Sequence, residues 1–343
     1  ISAIVLKKKE FRNMIVKANP AGILGTGYCV PEQVWTNTYL ETFLDTSDEW
    51  IRSRTGIGAR HVAPKGVNTS DLATGAAKEA MEMAKVSPED IDLIIVCTLT
   101  PDKALPSTAC IVQANLGAVN AAAFDLEAAC SGFAYGSIIA SQMIENGMYD
   151  HILVIGAEVL TRVINWKDRS SCVLFGDGAG AAVIGRVPSG YGILSGAMGA
   201  DGTGGDFLTI RSGIANPVTD ARRADGSAYA VMDGKEVYKF AVKAMPHAAE
   251  LALKRAELEK EDIDVLVPHQ ANMRIIESAA KRLHVPMEKV YVNIEKYANT
   301  SGASIPIALD EAVRTGMVKR GDIVCLAGFG AGLTWASVVM KWY

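Results

Sequence analysis

The segments EDIDLIIV (residues 89–96) and EDIDVLVP (residues 261–268) share one design, an acidic turn followed by a short apolar run. They are separated by 172 residues (261 minus 89). The same offset relates HILVI (residues 151–155) to IVCLA (residues 323–327), and each of these runs is preceded by Asp and followed by Gly. A helical pattern also precedes each EDID segment. Several matches in one register predict that the chain is an internal duplication.

Each half alternates helical periodicity with short, continuous apolar runs of the kind that buried strands show. This pattern predicts an α/β fold in which helices are layered around mostly parallel sheets. A chain of 343 residues exceeds the size of one simple core. We therefore expect two related halves, residues 21–186 and 187–343, packed about a pseudo-twofold axis after a basic extension of residues 1–20. Ligands should collect where the carboxyl ends of strands from both halves meet.

The composition argues against several classes of protein. Lys plus Arg (34) nearly balance Asp plus Glu (38), so nucleic acid is not an expected partner. The six cysteines show neither a CxxC pair nor the Cys/His spacing of a zinc site. No run reaches the roughly 18 apolar residues of a membrane span, and the N-terminus lacks a signal-peptide pattern. We expect a cytoplasmic globular protein without a metal site.

Cys130 lies in AAAFDLEAACSGFAYGSIIASQMIEN (residues 121–146), which predicts a buried strand, a sharp turn and a helix that begins near Cys130. A cysteine in the first turn of a buried helix sits among unpaired N–H groups at the positive end of the helix dipole. Both favour the thiolate and therefore nucleophilic reactivity. The alternative is a buried packing cysteine, the usual fate of an intracellular one. This segment alone leaves the two interpretations even.

His269 lies in VPHQAN (residues 267–272), where a strand-like run ends in a histidine and two amides instead of the usual turn residues. The duplication aligns His269 with Cys97, so one half ends this strand in a thiol and the other in an imidazole. A single histidine is more often structural than catalytic. The other histidines, however, fall in more polar segments, which makes His269 the best candidate for a base or hydrogen-bond donor.

Asn299 opens the small-residue turn NTSGAS (residues 299–304), which precedes a helical run. Taken alone, this asparagine would be interpreted as a helix N-cap. The duplication favours a functional role instead, because it places Gly302 opposite Cys130, so that Asn299 belongs to the turn equivalent to that of the nucleophile. The pseudo-twofold axis should then bring Cys130, His269 and Asn299 toward one point.

Two glycine-rich segments differ in what they predict about ligand binding. GFGAGLTW (residues 328–335) follows a predicted strand, and its backbone N–H groups could approach an oxyanion, although such loops are common. FGDGAGAA (residues 175–182) lacks both the Walker lysine and the GxGxxG spacing. It therefore does not predict a nucleotide-binding fold.

The segments EAACSGFAYG, VPHQAN, NTSGASIP and GFGAGLTW together resemble the thiolase superfamily, and specifically the β-ketoacyl-[acyl-carrier-protein] synthase III family. PEQVWTNTYLETFLDTSDEWIRSRTGIGARH (residues 31–61) resembles the same family, so the similarity extends from about residue 21 to the C-terminus. The resemblance implies a thiolase-like fold in which two related α/β halves form a layered α-β-α-β-α architecture. It also implies a homodimer.

The resemblance further implies an activity. Cys130 would take an acyl group from acyl-CoA, and His269 with Asn299 would hold the thioester carbonyl of malonyl-[acyl-carrier-protein] while carbon dioxide leaves. The enolate would attack acyl-Cys130 and so initiate fatty acid biosynthesis. Two neutral N–H donors can stabilise the enolate oxygen, so no metal or redox cofactor is required. The oxyanion hole would use the backbone N–H groups of Cys130 and Ala331. Ala331 departs from the usual glycine of the family, and alanine restricts φ.

The binding residues implied by the resemblance fall into three groups. Stacking and phosphate pairing would hold the nucleotide end of CoA at Thr46, Trp50, Arg54 and Arg169. The pantetheine tunnel and the remaining substrate contacts would involve Gly234, Asn272 and Phe329. A basic face for the acidic carrier protein would consist of Lys239, Arg274, Lys281 and Arg282. Leu105 would reach across the dimer to the acyl pocket, where a leucine in place of the frequent phenylalanine would admit longer or branched starters.

The alternatives share parts of this pattern. A papain-like hydrolase has the same order of Cys, His and Asn, but Cys130 lacks the CGSCW setting and that fold has no internal repeat. A chalcone-type or alkylquinolone-type synthase would share all three residues. A thiolase would carry a second cysteine in the final glycine-rich loop, where this chain has none. A binding-only homologue without catalysis is disfavoured because all three polar residues are present.

Overall fold

The computed structural model describes residues 20–343, so nearly all of the predicted extension of residues 1–20 lies outside the described residues. The strands are β1 (Ala21–Cys29), β2 (Val34–Thr36), β3 (Ala59–His61), β4 (Leu93–Cys97), β5 (Ala122–Leu126), β6 (His151–Glu158), β7 (Gly178–Arg186), β8 (Gly192–Ala200), β9 (Leu208–Ile210), β10 (Ala230–Met232), β11 (Val265–Pro268), β12 (Ile323–Gly330) and β13 (Thr334–Lys341). The helices are α1 (Asn37–Glu41), α2 (Asp48–Thr55), α3 (Thr69–Ala84), α4 (Thr108–Leu116), α5 (Gly132–Glu145), α6 (Asp220–Ala224), α7 (Gly234–Arg255), α8 (Met273–Leu283), α9 (Ile294–Tyr297) and α10 (Ser304–Arg314).

Two sheets form the centre of the molecule. One has five strands in the order β1-β7-β6-β4-β5, and the other has four in the order β11-β12-β13-β8. The prediction of mostly parallel sheets is wrong. β4 pairs in parallel with β5 and β6, and β11 with β12, but the remaining pairs in these two sheets are antiparallel. The short connection between β12 and β13 explains part of this result, because only antiparallel neighbours can be joined by a tight hairpin.

The layered α-β-α-β-α architecture predicted above is confirmed. Helix α3 packs on the outer face of the five-stranded sheet, and α7 packs on the outer face of the four-stranded sheet. Helices α5 and α10 contact strands of both sheets and therefore form the middle layer. Small residues permit this burial: a Cβ on Gly136 of α5 would lie 2.8 Å from the side chain of Val154. The turns that precede α5 and α10 therefore lie in the centre of the molecule.

The backbone repeats the 172-residue offset read from the sequence. The offset superposes β4 on β11, β6 on β12, and the start of α5 on that of α10. Asp92 accepts a hydrogen bond from the backbone N–H of His151, and Asp264 accepts the equivalent bond from Ile323. The 3-10 turns at Ala129–Ser131 and Ser301–Ala303 also correspond. Both begin with a residue of positive φ, 46° at Ala129 and 49° at Ser301.

Reciprocal glycine contacts join the halves. A Cβ on Gly156 of β6 would lie 2.0 Å from the carbonyl oxygen of Gly302, and a Cβ on Gly328 of β12 would lie 3.3 Å from the carbonyl oxygen of Cys130. These two pairs are related by the same offset, so each strand end receives the turn of the other half. The contacts place the turn of Gly302 against β6 and the turn of Cys130 against β12.

The boundary between the predicted halves, residues 21–186 and 187–343, stays a prediction, although the five-stranded sheet draws only on the first range and the four-stranded sheet only on the second. Among residues 20–343, no helix has both the length and the apolar character required to cross a membrane.

Candidate active site

Cys130 lies in the turn between β5 and α5, as the sequence predicts, but in a 3-10 turn one step before the α-helix proper. Ala129 takes the left-handed conformation, with φ of 46°, and its N–H donates to the Glu127 carboxylate at 3.0 Å. This turn directs the thiol inward, where Cys130 is 6% exposed. The Cys130 thiol donates to the Ser301 hydroxyl at 3.4 Å, which is a contact between the two halves.

The expectation that the helix N-terminus favours a Cys130 thiolate is wrong for this structure. Burial raises the pKa of the thiol to about 12, and the hydrogen bond with Ser301 offsets only part of this effect. The negative charges of Glu158 and Glu127 raise the pKa further. Desolvation of the anion is the largest influence on this pKa, so Cys130 is a thiol at physiological pH.

His269 follows β11 and is 1% exposed. Its backbone N–H donates to Ala327 at 2.8 Å, and its Nδ1 atom lies 2.6 Å from the Ser304 hydroxyl oxygen. The ring of Phe329 meets the imidazole edge to face, with 5.4 Å between centroids. Burial lowers the pKa of His269 to about 3, so the imidazole is neutral at physiological pH. A neutral imidazole is suited to donating a hydrogen bond rather than to acting as a charged group.

Ser304 orients this imidazole, a role that the sequence did not reveal. The Ser304 hydroxyl accepts the backbone N–H of Gln270 at 3.4 Å and can donate its own hydrogen to Nδ1 of His269. With Nδ1 accepting, the ring hydrogen of the neutral imidazole resides on Nε2. This arrangement favours Nε2 as a hydrogen-bond donor to a ligand.

Asn299 is held by both its backbone and its side chain. Its backbone N–H donates to Leu174 at 2.9 Å, and its carbonyl oxygen accepts from Gly176 at 3.0 Å. The side-chain Oδ1 accepts the N–H of Ser301 at 2.8 Å, which leaves the Nδ2 amide hydrogens as donors. The N-cap interpretation does not apply to α10, because Ala303 occupies the N-cap position of that helix.

Cys130, His269 and Asn299 line one cavity of about 230 Å³. The structure therefore brings the three residues to one cavity, in agreement with the expectation from the duplication. A smaller cavity of about 60 Å³ lies on another side of Cys130 and is lined mainly by apolar side chains, Leu160, Val163 and Ile164 among them. Cys130 thus lies where the two cavities meet. The chemical roles of the three residues stay predictions.

Most of the residues predicted to bind CoA line the larger cavity, but not all of them do. Trp50, Arg54, Gly234, Asn272 and Phe329 line the larger cavity. The guanidinium groups of Arg54 and Arg169 lie 4.5 and 5.7 Å from the centroid of the Trp50 ring. Arg169 also forms an ion pair with Asp45 at 2.9 Å. Thr46 does not line this cavity, and its buried hydroxyl has no hydrogen-bond partner among the described residues.

The predicted oxyanion hole depends on close backbone approach. A Cβ on Gly330 would lie 2.7 Å from the backbone nitrogen of Cys130, so this glycine leaves space at the N–H group. Ala331 lines the smaller cavity together with Cys130. Ala331 is not among the residues with positive φ, which Gly332 adopts instead, at 130°. The alanine is therefore accommodated without backbone strain.

Leu105 and the basic residues lie outside the cavity. Leu105 is 84% exposed and contributes to neither cavity next to Cys130. The four predicted carrier-binding residues are all exposed: Lys239, Arg274, Lys281 and Arg282. Two of them have partners, since Lys239 pairs with Glu236 at 2.6 Å and Arg274 donates to the carbonyl oxygen of Ser53 at 2.9 Å. A surface hollow also brings Arg282 together with Lys243 and His247, which the sequence did not reveal.

Within residues 20–343, no group of three or more His, Cys, Asp or Glu side chains is arranged to hold a metal ion. The sequence reasoning missed Glu158, Ser301 and Ser304. One feature of the sequence could have indicated Glu158: it is a charged residue at the end of the apolar run that forms β6. The two serines had no such feature, because their contacts with Cys130 and His269 join segments that are distant in sequence.

Comparison with known proteins gives consistent matches. The model of the 3-oxoacyl-[acyl-carrier-protein] synthase III family matches residues 124–202, and the model of its C-terminal part matches residues 253–342. The β-ketoacyl-[acyl-carrier-protein] synthase III of Caldanaerobacter subterraneus is 59% identical over 94% of this chain and 98% of its own. That of Clostridioides difficile is 55% identical, with the same coverage.

Solved structures agree with these relatives. The 3-oxoacyl-[acyl-carrier-protein] synthase III of Aquifex aeolicus gives a TM-score of 0.87 at 46% identity, covering 94% of this chain and all of that one. The synthase III of Thermus thermophilus gives a TM-score of 0.88 at 47% identity, covering 94% and 99% of the two chains. These matches confirm the predicted thiolase-like fold.

Proposed function

Because this chain belongs to the β-ketoacyl-[acyl-carrier-protein] synthase III family, we propose that it condenses an acyl-CoA starter with malonyl-[acyl-carrier-protein] through an acyl group on Cys130. As a member of this family it is an acyltransferase. The proposed reaction is a decarboxylative Claisen condensation, which initiates fatty acid biosynthesis. The observation that carries the proposal is the convergence of Cys130, His269 and Asn299 on one buried cavity.

In the first step, the sulfur of Cys130 attacks the thioester carbonyl of acyl-CoA. The position of Cys130 between two cavities suits this transfer, because the acyl chain can enter the smaller, apolar space while CoA occupies the larger one. The backbone N–H groups of Cys130 and Ala331 are the proposed donors to the oxyanion. Such donors are already in place before charge develops, which is where electrostatic stabilisation is most effective.

In the second step, malonyl-[acyl-carrier-protein] loses carbon dioxide and its enolate attacks the acyl-Cys130 carbonyl. The donors proposed for the enolate oxygen are Nε2 of His269 and Nδ2 of Asn299. The pKa of His269, lowered by burial to about 3, keeps this donor neutral throughout. Stabilisation therefore comes from two fixed hydrogen bonds, and the proposed chemistry requires no metal or redox cofactor.

The nucleotide end of CoA is proposed to bind at the Trp50 ring. Arg54 and Arg169 already lie at this ring, so the adenine can stack there while the guanidinium groups pair with phosphates. Thr46 is the predicted neighbour of this site. Gly234 and Asn272 line the larger cavity, as do Trp50 and Cys130, which supports the prediction that they contact the pantetheine arm. The ring of Phe329 packs edge to face against the imidazole of His269.

The acidic carrier protein is proposed to dock on the basic face formed by Lys239, Arg274, Lys281 and Arg282. All four side chains are exposed. Arg274 and Lys281 lie seven residues apart on α8, which places them on one side of that helix. Asn272, the N-cap residue of α8, borders the cavity. A carrier bound here would present its thioester-bearing arm at the mouth of the same cavity.

The active form is proposed to be a homodimer that uses the β5 edge. β5 is the outermost strand of its sheet, and Phe124 on it is 37% exposed. Val119, in the turn before β5, and Leu105, before α4, are 73% and 84% exposed. An unprotected strand edge flanked by apolar side chains favours pairing with a second copy. In such a dimer Leu105 would be free to reach the acyl pocket of the other protomer.

A cytoplasmic location is proposed as well. All six cysteines are free thiols, including four buried ones. Unpaired thiols are typical of proteins that work in a reducing compartment.

The decisive experiment is incubation of the protein with a panel of acyl-CoAs and malonyl-[acyl-carrier-protein], followed by mass analysis of the products. We expect 3-oxoacyl-carrier protein, with chain length set by the starter. Cys130→Ala should lose condensation entirely, because no acyl-enzyme can form. The matched control is Cys110→Ala, which removes an exposed thiol and should retain activity. Condensation by the Cys130→Ala variant would refute the proposal.

A further inference from the structure

Glu158 is a buried carboxyl group for which the proposed mechanism has no use. It ends β6 and is 0% exposed. None of the ion pairs within residues 20–343 includes it, so no cation neutralises its charge. Its oxygens accept hydrogen bonds from the hydroxyl groups of Thr98 at 3.2 Å and Thr100 at 2.6 Å, and from the N–H of Leu99 at 3.3 Å. Burying a carboxyl group at this cost calls for an explanation.

The hydroxyl of Ser301 stands between Glu158 and the nucleophile. The Cys130 thiol donates to the Ser301 oxygen at 3.4 Å. A Cβ on the next residue, Gly302, would lie 3.5 Å from Oε1 of Glu158, so the 3-10 turn that carries Ser301 packs directly on the carboxyl group. The Ser301 hydroxyl is also one of the hydrogen-bonding groups that lower the pKa of Glu158. The Ser301 hydroxyl can therefore accept the proton of the thiol and donate its own to the carboxylate.

The pKa values of the neighbouring groups are consistent with proton transfer from Cys130 to Glu158. Burial raises the pKa of Glu158 to about 7, whereas the pKa of the Cys130 thiol is raised to about 12 and that of His269 is lowered to about 3. The other titratable group that interacts with Glu158 is the Cys97 thiol, whose pKa burial raises even further. A proton acceptor is most effective when its pKa lies near the operating pH, and in this cluster Glu158 meets that condition.

We propose that Glu158 accepts the proton of Cys130 through the hydroxyl of Ser301 when the sulfur attacks the acyl thioester, and returns it when condensation releases the sulfur. This inference rests on the proposed acyl transfer to Cys130. Ser301 contacts the reacting sulfur, and Glu158 acts through Ser301.

The steps balance without an additional reagent. In acylation, the S–H bond of Cys130 breaks, Ser301 takes that proton, and the original hydroxyl proton of Ser301 passes to Glu158. The sulfur forms a bond to the acyl carbon, and CoA leaves as a thiolate that takes a proton from water. In condensation, the enolate carbon bonds to the acyl carbon and Cys130 leaves as a thiolate. The proton held on Glu158 then returns through Ser301 and restores the thiol.

The test is the rate of single-turnover acylation of Cys130 by acyl-CoA, measured from pH 5 to 10 in the wild type and in Glu158→Gln. The wild-type rate should rise with pH and level off above the Glu158 pKa of about 7. In Glu158→Gln the rate at pH 7 should fall about 100-fold, the usual size of a general-base contribution. The rate should then keep rising beyond pH 9, because hydroxide must take the proton.

Ser301→Ala interrupts the same path while the carboxyl group remains. Alanine fits this backbone, because Ala129 adopts φ of 46° at the equivalent position, against 49° at Ser301. This variant should reproduce the loss and the altered pH profile of Glu158→Gln, and the double variant should lose no more than either single one. Asp177→Asn is the matched control. It also converts a fully buried carboxyl group to an amide, but one bound to Thr161 and Ala63, so the pH profile should stay that of the wild type.

Alkylation of Cys130 by iodoacetamide separates this inference from the proposed function, because it needs neither CoA binding nor an acyl group. We expect the same pH profiles in alkylation as in acylation. If Glu158→Gln or Ser301→Ala keeps the wild-type rate and plateau in both assays, the relay is overturned even though acyl transfer stands. If no variant, wild type included, is acylated while the alkylation profiles differ as expected, the proposed function fails and the proton path remains.

Discussion

His269 is neutral because it is buried, since desolvation accounts for the fall of its pKa from 6.5 to about 3. The only ring-nitrogen partner found for it in the described chain is the uncharged hydroxyl of Ser304. The proposed donor to the enolate oxygen is therefore uncharged. A protonated imidazole near Cys130 would favour the thiolate, whereas a neutral one leaves the thiol protonated.

The neutral imidazole makes stability depend on pH. Its contribution is complete above pH 6.5 and is lost as pH falls toward 3, because the unfolded chain then binds a proton that the native protein does not. Urea unfolding of wild type and His269→Asn should show this difference. The wild-type free energy of unfolding should fall relative to that of the variant by up to about 1.4 kcal/mol per pH unit below pH 6.

His247→Asn, which removes an exposed imidazole, serves as the control for this measurement and should follow the wild-type slope. Parallel pH dependences of wild type and His269→Asn would show that the buried imidazole gains its proton as readily as a free one.

The sequence alone indicated His269, Cys130 and Asn299 because each is an unusual residue for its position. His269 ends an apolar run, and Cys130 and Asn299 lie in turns that precede helices. Ser301 and Ser304 escaped it for a physical reason. Serine is ordinary in a turn before a helix, and the role of each depends on an atom of the other half or of another strand. The argument for a Cys130 thiolate counted the favourable N–H groups of the helix and omitted the cost of burying an anion, which is the largest influence on the pKa.

At the scale of elements, the carboxyl ends of β6 and β12 fix the site. Each strand places a glycine against the turn of the other half, Gly156 against Gly302 and Gly328 against Cys130. The sequence predicted this duplication, since the apolar runs and the acidic turns keep one offset. It did not predict the mixed strand directions, because a continuous apolar run indicates burial on both faces and not the direction of the neighbouring strand.

Gly156→Ala should weaken this contact strongly. The added Cβ would lie 2.0 Å from the carbonyl oxygen of Gly302, and a backbone atom cannot rotate away. We expect a loss of about 3 kcal/mol in the free energy of unfolding, the upper range for overpacking, measured by chemical denaturation.

Gly202→Ala is the control, because a Cβ there meets no atom within 4 Å, and it should change the free energy of unfolding by less than about 0.5 kcal/mol. Equal small effects at both glycines would mean that the two halves are packed less closely than described.

At the scale of the whole molecule, the exposed edge at β5 determines the expected assembly. Phe124→Asp places a charge on that edge, and pairing of two copies would bury both charges without partners. The wild type should sediment as a dimer, and the variant should sediment as a monomer of 36.4 kDa. Sedimentation velocity measures both.

Met148→Asp is the control, because Met148 is 63% exposed in the turn between α5 and β6, and this variant should remain dimeric. A dimeric Phe124→Asp protein would place the interface elsewhere.

The equivalence of Gly302 and Cys130 in the two halves has one more consequence. The two halves follow the same path through the centre, yet a Cβ at Gly302 would already lie 3.3 Å from the carbonyl oxygens of Ala129 and Cys97. A side chain there would force these backbone atoms to move by a few tenths of an ångström. The repeated backbone therefore does not repeat the thiol: the half that lacks it supplies the amide, the imidazole and the hydroxyl groups that surround Cys130.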